Sequence, residues 1–185
     1  PPFNWVTMPD QFTLAALDRL LRDDADGPLF AQVALVSSHA PWVPVPDLVP
    51  WEAVGDGTVF APMAARGDPP DVVWRDRDRV RAQYRKAVDY ALRATLSYAE
   101  RHADAPPLIL VVGDHQPAAF VAGDERPDVP AHLIGPAELV DAAALWGWGA
   151  GLIPAADAPV RGMEEMRDLV LEAWSTGGPT RGARR

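Results

Sequence analysis

Cysteine is absent from the chain, and with it go disulfide scaffolds, zinc fingers, iron–sulfur ligation and cysteine nucleophiles, each of which needs a sulfur. Lysine is almost absent too. Lys86 stands alone against 16 arginines, and it falls on a helix face, so no P-loop with a phosphate-gripping lysine is possible. Positive charge is in deficit overall, with 17 basic against 26 acidic side chains and a net charge of -9. That balance opposes the counterion release that drives nucleic-acid binding. The basic cluster Arg181, Arg184 and Arg185 sits in a glycine-containing tail, so no nucleic-acid partner is expected. Long apolar runs are missing as well: Leu108 to Val112 falls far short of the roughly 20 residues a membrane-spanning helix needs. The N-terminus lacks the charged and apolar regions of a signal peptide. This stretch is expected to be soluble as it stands, with membrane attachment only through segments outside it.

What is present is enough for one core. The 185 residues are 48% hydrophobic, ordinary for a single domain. Twenty prolines, about 11%, are roughly double the usual 5%. Seven tryptophans accompany them, which disordered proline-rich chains do not show. The prolines therefore punctuate a folded chain.

Leu14, Leu17, Leu20 and Leu21 recur at helical spacing after Pro9, which predicts an amphipathic helix over 10–22, ended by residues 23–28. Leu29 to Val36 is short and nearly continuous in apolar character, the pattern of a strand buried on both faces of a parallel sheet. Ala40 to Asp71 is proline-rich without periodicity, and loops this long in compact domains are usually lids, rims or binding loops. Asp76 to His102 carries the clearest helical stripe, Pro106 and Pro107 stop it, and Leu108 to Val112 reads as a second buried strand. Val129 to Ile134 predicts a third, followed by helices over 136–144 and 163–174. Residues 175–185 read as a frayed tail.

A strand, a crossover with a long helix and a second strand make a βαβ unit with parallel strands. Ligands of such sheets bind outside the carboxyl ends of the strands. There the first strand delivers Ser37, Ser38 and His39 and the second Gly113, Asp114 and His115, so His39, Asp114 and His115 are expected to converge. Asp114 and His115 offer a carboxylate oxygen and an imidazole nitrogen side by side, the donors that divalent ions accept. Two ligands are too few for a site, and a turn-capping Asp114 beside a packed His115 is an equal reading. His39 suits an anion contact or acid–base work, against the plainer reading of a loop histidine bonded to backbone. His102 and His132 read as structural. A serine-hydrolase triad from Ser37 or Ser38 is disfavoured, since no G-x-S-x-G elbow exists. Trp5, Trp146, Trp148 and Trp174 read as anchors, Gly147 to Gly151 as a packed turn, and Trp42 and Trp51 as rim residues of the inferred cleft.

Leu108 to Pro117, LILVVGDHQP, resembles the metal-binding strand and turn of the alkaline phosphatase and sulfatase superfamily. Val36 to Trp42, VSSHAPW, is similar to the Ser/Thr-Ser/Thr-His-x-Pro segment of its sulfatase and lipoteichoic-acid-synthase-like branches. Met8 to Leu14, Val54 to Phe60 and Trp146 to Trp148 resemble actinobacterial membrane-anchored sulfatase-like proteins. The resemblance implies the C-terminal part of a three-layer α/β sandwich with a mostly parallel sheet flanked by helices, spanning residues 1–174. It implies a divalent metal ion (Zn, Mn, Mg or Ca) held partly by Asp114 and His115, with His39 at the substrate's anionic oxygens and Ser38 and Trp42 on the rim. The substrate would be a small-molecule or lipid-linked sulfate or phosphate ester. The nucleophile and the early acidic ligands would lie upstream, in the other half of a protein at the extracytoplasmic face of the membrane, and this piece alone would be inactive. Two other readings are a non-catalytic binding or scaffold domain of the same fold, and an acidic domain that captures partners through the loop over 40–71.

Overall fold

In the computed structural model, which describes residues 3, 8–22 and 27–175, the longest element is the helix α3, Arg77–Arg101. It begins where the Asp76 carboxylate accepts the backbone N–H groups of Asp78 (2.8 Å) and Arg79 (3.2 Å), two of the donors that every helix start leaves bare. At about 1.5 Å per residue it runs roughly 37 Å. Val80, Ala87, Tyr90, Ala94, Thr95 and Tyr98 are buried along it, a single stripe at helical spacing. The helix expected over 76–102 is therefore present within a residue at each end.

Two compact units make up the chain: Pro1–Arg101 with Pro117–Glu125, and His102–Gln116 with Arg126–Arg185. In the first, α1 (Asp10–Leu17) continues into a wider π-helical turn, Asp18–Arg22, so the helix expected over 10–22 is also present. Both α1 and α4 (Ala119–Ala122) pack on α3. One core joins Trp42, Val43, Val73, Val80, Ala87 and Val121. A second joins Phe3, Val54, Phe60 and Met63, with Phe12, Val49 and Trp51 at its edge.

That second core gives the segment over 40–71, read from the sequence as a lid, rim or binding loop, an ordered interior. The segment forms two 3-10 turns, Trp51–Ala53 and Thr58–Met63, and leads into α2, Pro70–Val73. Val54 and Phe60 are each only 1% exposed. Its prolines fix φ in advance, which lowers the entropy lost on ordering a segment without regular ladders.

The strand expected over Leu29 to Val36 is not formed. The segment pairs with no other strand among the described residues, and Phe30 is 88% exposed. A strand exists only through a neighbour that takes its N–H groups, and the N–H of Val36 goes instead to the Asp10 carboxylate, 2.8 Å away. The second unit contains the sheet: β1 (Ile109–Val112) pairs antiparallel with β2 (Ala131–Ile134), Ile109 opposite Ile134 and Val112 opposite Ala131. The fold shown is mixed and helix-rich with this small antiparallel sheet. Among the described residues the expected parallel sheet is not seen, because an apolar run reports burial and says nothing of the direction of its partner.

After β2 come α5 (Ala137–Asp141) and α6 (Met166–Trp174). Trp146 collects Trp148 and Trp174 edge-on at 5.0 and 5.3 Å, and the Trp174 indole N–H donates to the Leu139 carbonyl at 3.0 Å. Trp5 and residues 176–185 lie outside the described residues, so the expected tail is not placed. Among the described residues no helix is long and apolar enough to cross a membrane.

Gly57 provides a stability test. Its φ is +87°, and a Cβ there would stand 2.8 Å from the Phe12 ring, whereas Gly67, at φ +77°, has nothing within 4 Å. Gly67→Ala should cost about 1–2 kcal/mol, the left-handed penalty alone. Gly57→Ala should cost visibly more, because Phe12 must also move. Equal urea midpoints for the two variants would contradict this account.

Candidate functional site

The His39 turn is built by residues distant in sequence. Val36 and Ser37 both donate their backbone N–H groups to Oδ1 of Asp10, at 2.8 Å each. The backbone N–H of Asp10 donates to Ser37 Oγ at 3.0 Å. The turn closes on itself through His39 N–H to the Val36 carbonyl, 3.0 Å. Next along α1, Gln11 makes two bonds with the backbone of Val49: its Nε2 donates to the carbonyl (2.7 Å) and its Oε1 accepts the N–H (3.0 Å). The Asp10–Gln11 pair thus fastens both ends of the segment that carries His39.

His39 itself is exposed. Its Nδ1 lies 2.7 Å from the Ala40 carbonyl. A carbonyl only accepts, so Nδ1 carries the hydrogen and Nε2 is left outward for an anion contact or a proton transfer. Ser37 is nearly buried with its Oγ engaged by Asp10, a poor position for a nucleophile. Ser38 uses its carbonyl to accept the Trp42 indole N–H, 2.7 Å.

Trp42, expected on a rim, is 7% exposed and belongs to the core. It holds φ +61°, stacks on Trp74 at 5.4 Å and 10°, and meets the edge of Tyr84 at 5.2 Å. The indole open to solvent at this turn is Trp74, 43% exposed, whose N–H donates to the Pro41 carbonyl at 3.2 Å. Trp51 stands against Tyr98 at 6.0 Å.

Asp114 and His115 follow β1 in the second unit, where the Gln116 side-chain amide bonds the Asp128 carbonyl. The His115 backbone N–H donates to Asp114 Oδ1 at 2.9 Å, and His115 Nδ1 is 2.9 Å from the Gln116 carbonyl. Here too Nδ1 carries the hydrogen, which leaves Nε2 facing Asp114 Oδ2 across 3.5 Å. Both side chains are mostly exposed. Two donors each roughly 2.1 Å from one tetrahedral ion stand roughly 3.4 Å apart, so the pair fits two positions of a divalent cation's shell. It does not close one. Among the described residues no group of three or more His, Asp or Glu side chains is arranged to hold a metal ion.

Of the expected site, then, Asp114 and His115 are brought together, while His39 belongs to the other unit. The argument for their convergence loses its premise with the missing first strand. His132 Nε2 bonds the Leu152 carbonyl at 2.8 Å, and His102 lies in the turn after α3. Asp10 and Gln11 went unread as site residues because an acid in the first turn of a helix is explained locally by the helix dipole. Nothing in the sequence signals partners 26 to 38 positions away.

Burial pushes the Asp10 carboxyl above its ordinary value of 3.8, against the opposing hydrogen bonds from Ser37 and Val36. Burial likewise raises the Tyr90 hydroxyl, which accepts the Gln11 N–H at 3.4 Å and feels the Asp10 charge. Comparison of the chain with family models, curated proteins and solved structures finds no match.

The raised Asp10 value has a definite sign. Between 3.8 and the higher native value the folded chain holds a proton the unfolded chain has lost, so this group's contribution to stability falls as pH rises. Asp10→Asn removes that dependence. The unfolding free energy of Asp10→Asn minus that of the wild type should therefore climb with pH across this window and then level off. A flat or falling difference in urea titrations would refute the assignment.

Proposed function

We propose that the chain is the C-terminal part of a metal-dependent, sulfatase-like or phosphatase-like hydrolase or transferase acting on sulfate or phosphate esters. One observation carries the reading: His115 Nε2 and Asp114 Oδ2 stand 3.5 Å apart, the spacing of two ligands on one tetrahedral ion. A carboxylate oxygen and an imidazole nitrogen at this spacing are donors that one divalent cation accepts together. The Gln116 carbonyl fixes which nitrogen faces inward, the backbone support commonly found behind metal-ligating histidines.

In this reading Asp114 and His115 supply two donors to a divalent ion, and the remaining ligands and the nucleophile come from residues upstream. The bound ion would neutralise charge on the transferred group. His39, with Nε2 outward and its ring pinned by the Ala40 carbonyl, contacts the anionic oxygens of the ester or moves a proton to the leaving oxygen. The finer architecture belongs to the same proposal: an alkaline-phosphatase-like sheet in which 29–36 finds a strand partner and the exposed Leu29 and Phe30 are covered. So does a place for the parent protein at the extracytoplasmic membrane face.

The test has two arms. Mn2+ added to the labelled chain should broaden the Asp114 and His115 signals first, and His115→Ala should weaken that binding by at least the roughly 10–100-fold that losing an outer-shell partner costs. Ester cleavage, assayed with and without divalent metal, should be absent from this chain and present in the full gene product. A full gene product in which Mn2+ ignores the pair sinks the metal assignment. A full product with a metal at this site but no ester cleavage would favour a scaffold of the same fold.

A further inference from the structure

We infer that Asp10 is the positioning residue of the His39 site, holding by its carboxylate the turn from which the imidazole projects. The inference rests on the reading of His39 as a substrate contact. Asp10 has no exposed surface, and its Oδ1 takes two backbone N–H groups, those of Val36 and Ser37, at 2.8 Å. A carboxylate is costly to bury, and here the burial is incomplete in its compensation: Oδ2 is buried with no hydrogen-bond partner. A residue needed only to fill space or to cap α1 would not demand this arrangement, since an apolar side chain or an exposed cap does either at lower cost.

The bonds also stand where they matter for the ring. Val36 and Ser37 lie three and two residues before His39, and the Val36 carbonyl accepts the His39 N–H. Fixing the N–H groups of 36 and 37 fixes the 35–36 and 36–37 peptide planes, and the second of these carries the carbonyl that holds the His39 N–H and so restrains the turn under the ring. The short bond from Nδ1 to the Ala40 carbonyl then sets the ring. Charge-assisted bonds to backbone N–H groups are roughly twice as strong as neutral ones, so loss of the carboxylate loosens the whole turn. The titratable side chain that α3 presents to this carboxylate is Tyr90, whose hydroxyl accepts the Gln11 N–H.

Nuclear magnetic resonance on the labelled chain tests this. In the wild type the His39 ring should be held as the Nδ1–H tautomer, with slow exchange of the Ser37 amide. Asp10→Ala should lose the tautomer preference and exchange that amide on the order of tenfold or more faster, the factor carried by one hydrogen bond to a charged group. Amides of Ala87 and Ala94 in α3 should keep their protection, and Asp10→Asn, which retains an acceptor oxygen, should restore part of both signals. If Asp10→Ala fails to fold, Ser37→Ala, which removes only the reciprocal bond to Asp10 N–H, should show the same two changes in weaker form. Retention of the tautomer and the slow amide in a folded Asp10→Ala overturns the inference. A third arm adds inorganic phosphate. Movement of the wild-type His39 ring signals, lost in Asp10→Ala, is the expected result. A wild-type ring indifferent to phosphate would remove the substrate-contact reading of His39, while the tautomer and exchange data would still decide what Asp10 does.

Discussion

A backbone N–H taken from water must find an acceptor, and in the first unit the acceptor for residues 36 and 37 is a side chain rather than a neighbouring strand. Oδ1 of Asp10 receives both, and Gln11 receives and returns the bonds of Val49. These contacts join the start of α1 to either end of the segment bearing His39, Trp42 and the proline turns. Trp42 can then sit in the core and lay its ring under Trp74. Without the two polar residues at the head of α1, the chain between 37 and 49 would have apolar contacts but no fixed register, because hydrophobic packing is not directional.

Helices were readable in the sequence because their information is local and periodic. The stripe from Val80 to Tyr98 and the leucines of α1 state their own geometry, and Asp76 and the Pro106-Pro107 pair bracket the longest helix. Both short strands of the observed sheet, Ile109–Val112 and Ala131–Ile134, lie inside the apolar runs that announce them. Their antiparallel sense was not readable, since direction belongs to the pairing and not to either run. Leu29 to Val36 shows the same limit more sharply: its composition suits a strand, yet no ladder forms. The proline-rich segment hid its packing instead. Val54, Phe60 and Met63 make a core there, and residues spaced by irregular turns leave no periodic trace.

The candidate site divides along the same line. Asp114 and His115 are sequence neighbours whose side chains approach to 3.5 Å, so their pairing was legible. Trp42 was named correctly as part of the His39 segment, but its depth was not, because burial of an indole depends on Val80, Val73 and Val121 arriving from elsewhere. Asp10 was invisible as a site residue for the reason that makes it informative: its partners are set by tertiary folding alone.

His39 and His115 share one local device, in which the ring N–H nearest the backbone is engaged by the carbonyl of the very next residue. A side chain restrained by its own main chain keeps its tautomer only while that main chain is itself held, which beneath His39 is the task of Asp10. A dipeptide of this kind carried to another scaffold would bring its carbonyl along and lose its aim unless the new surroundings gripped the backbone as firmly.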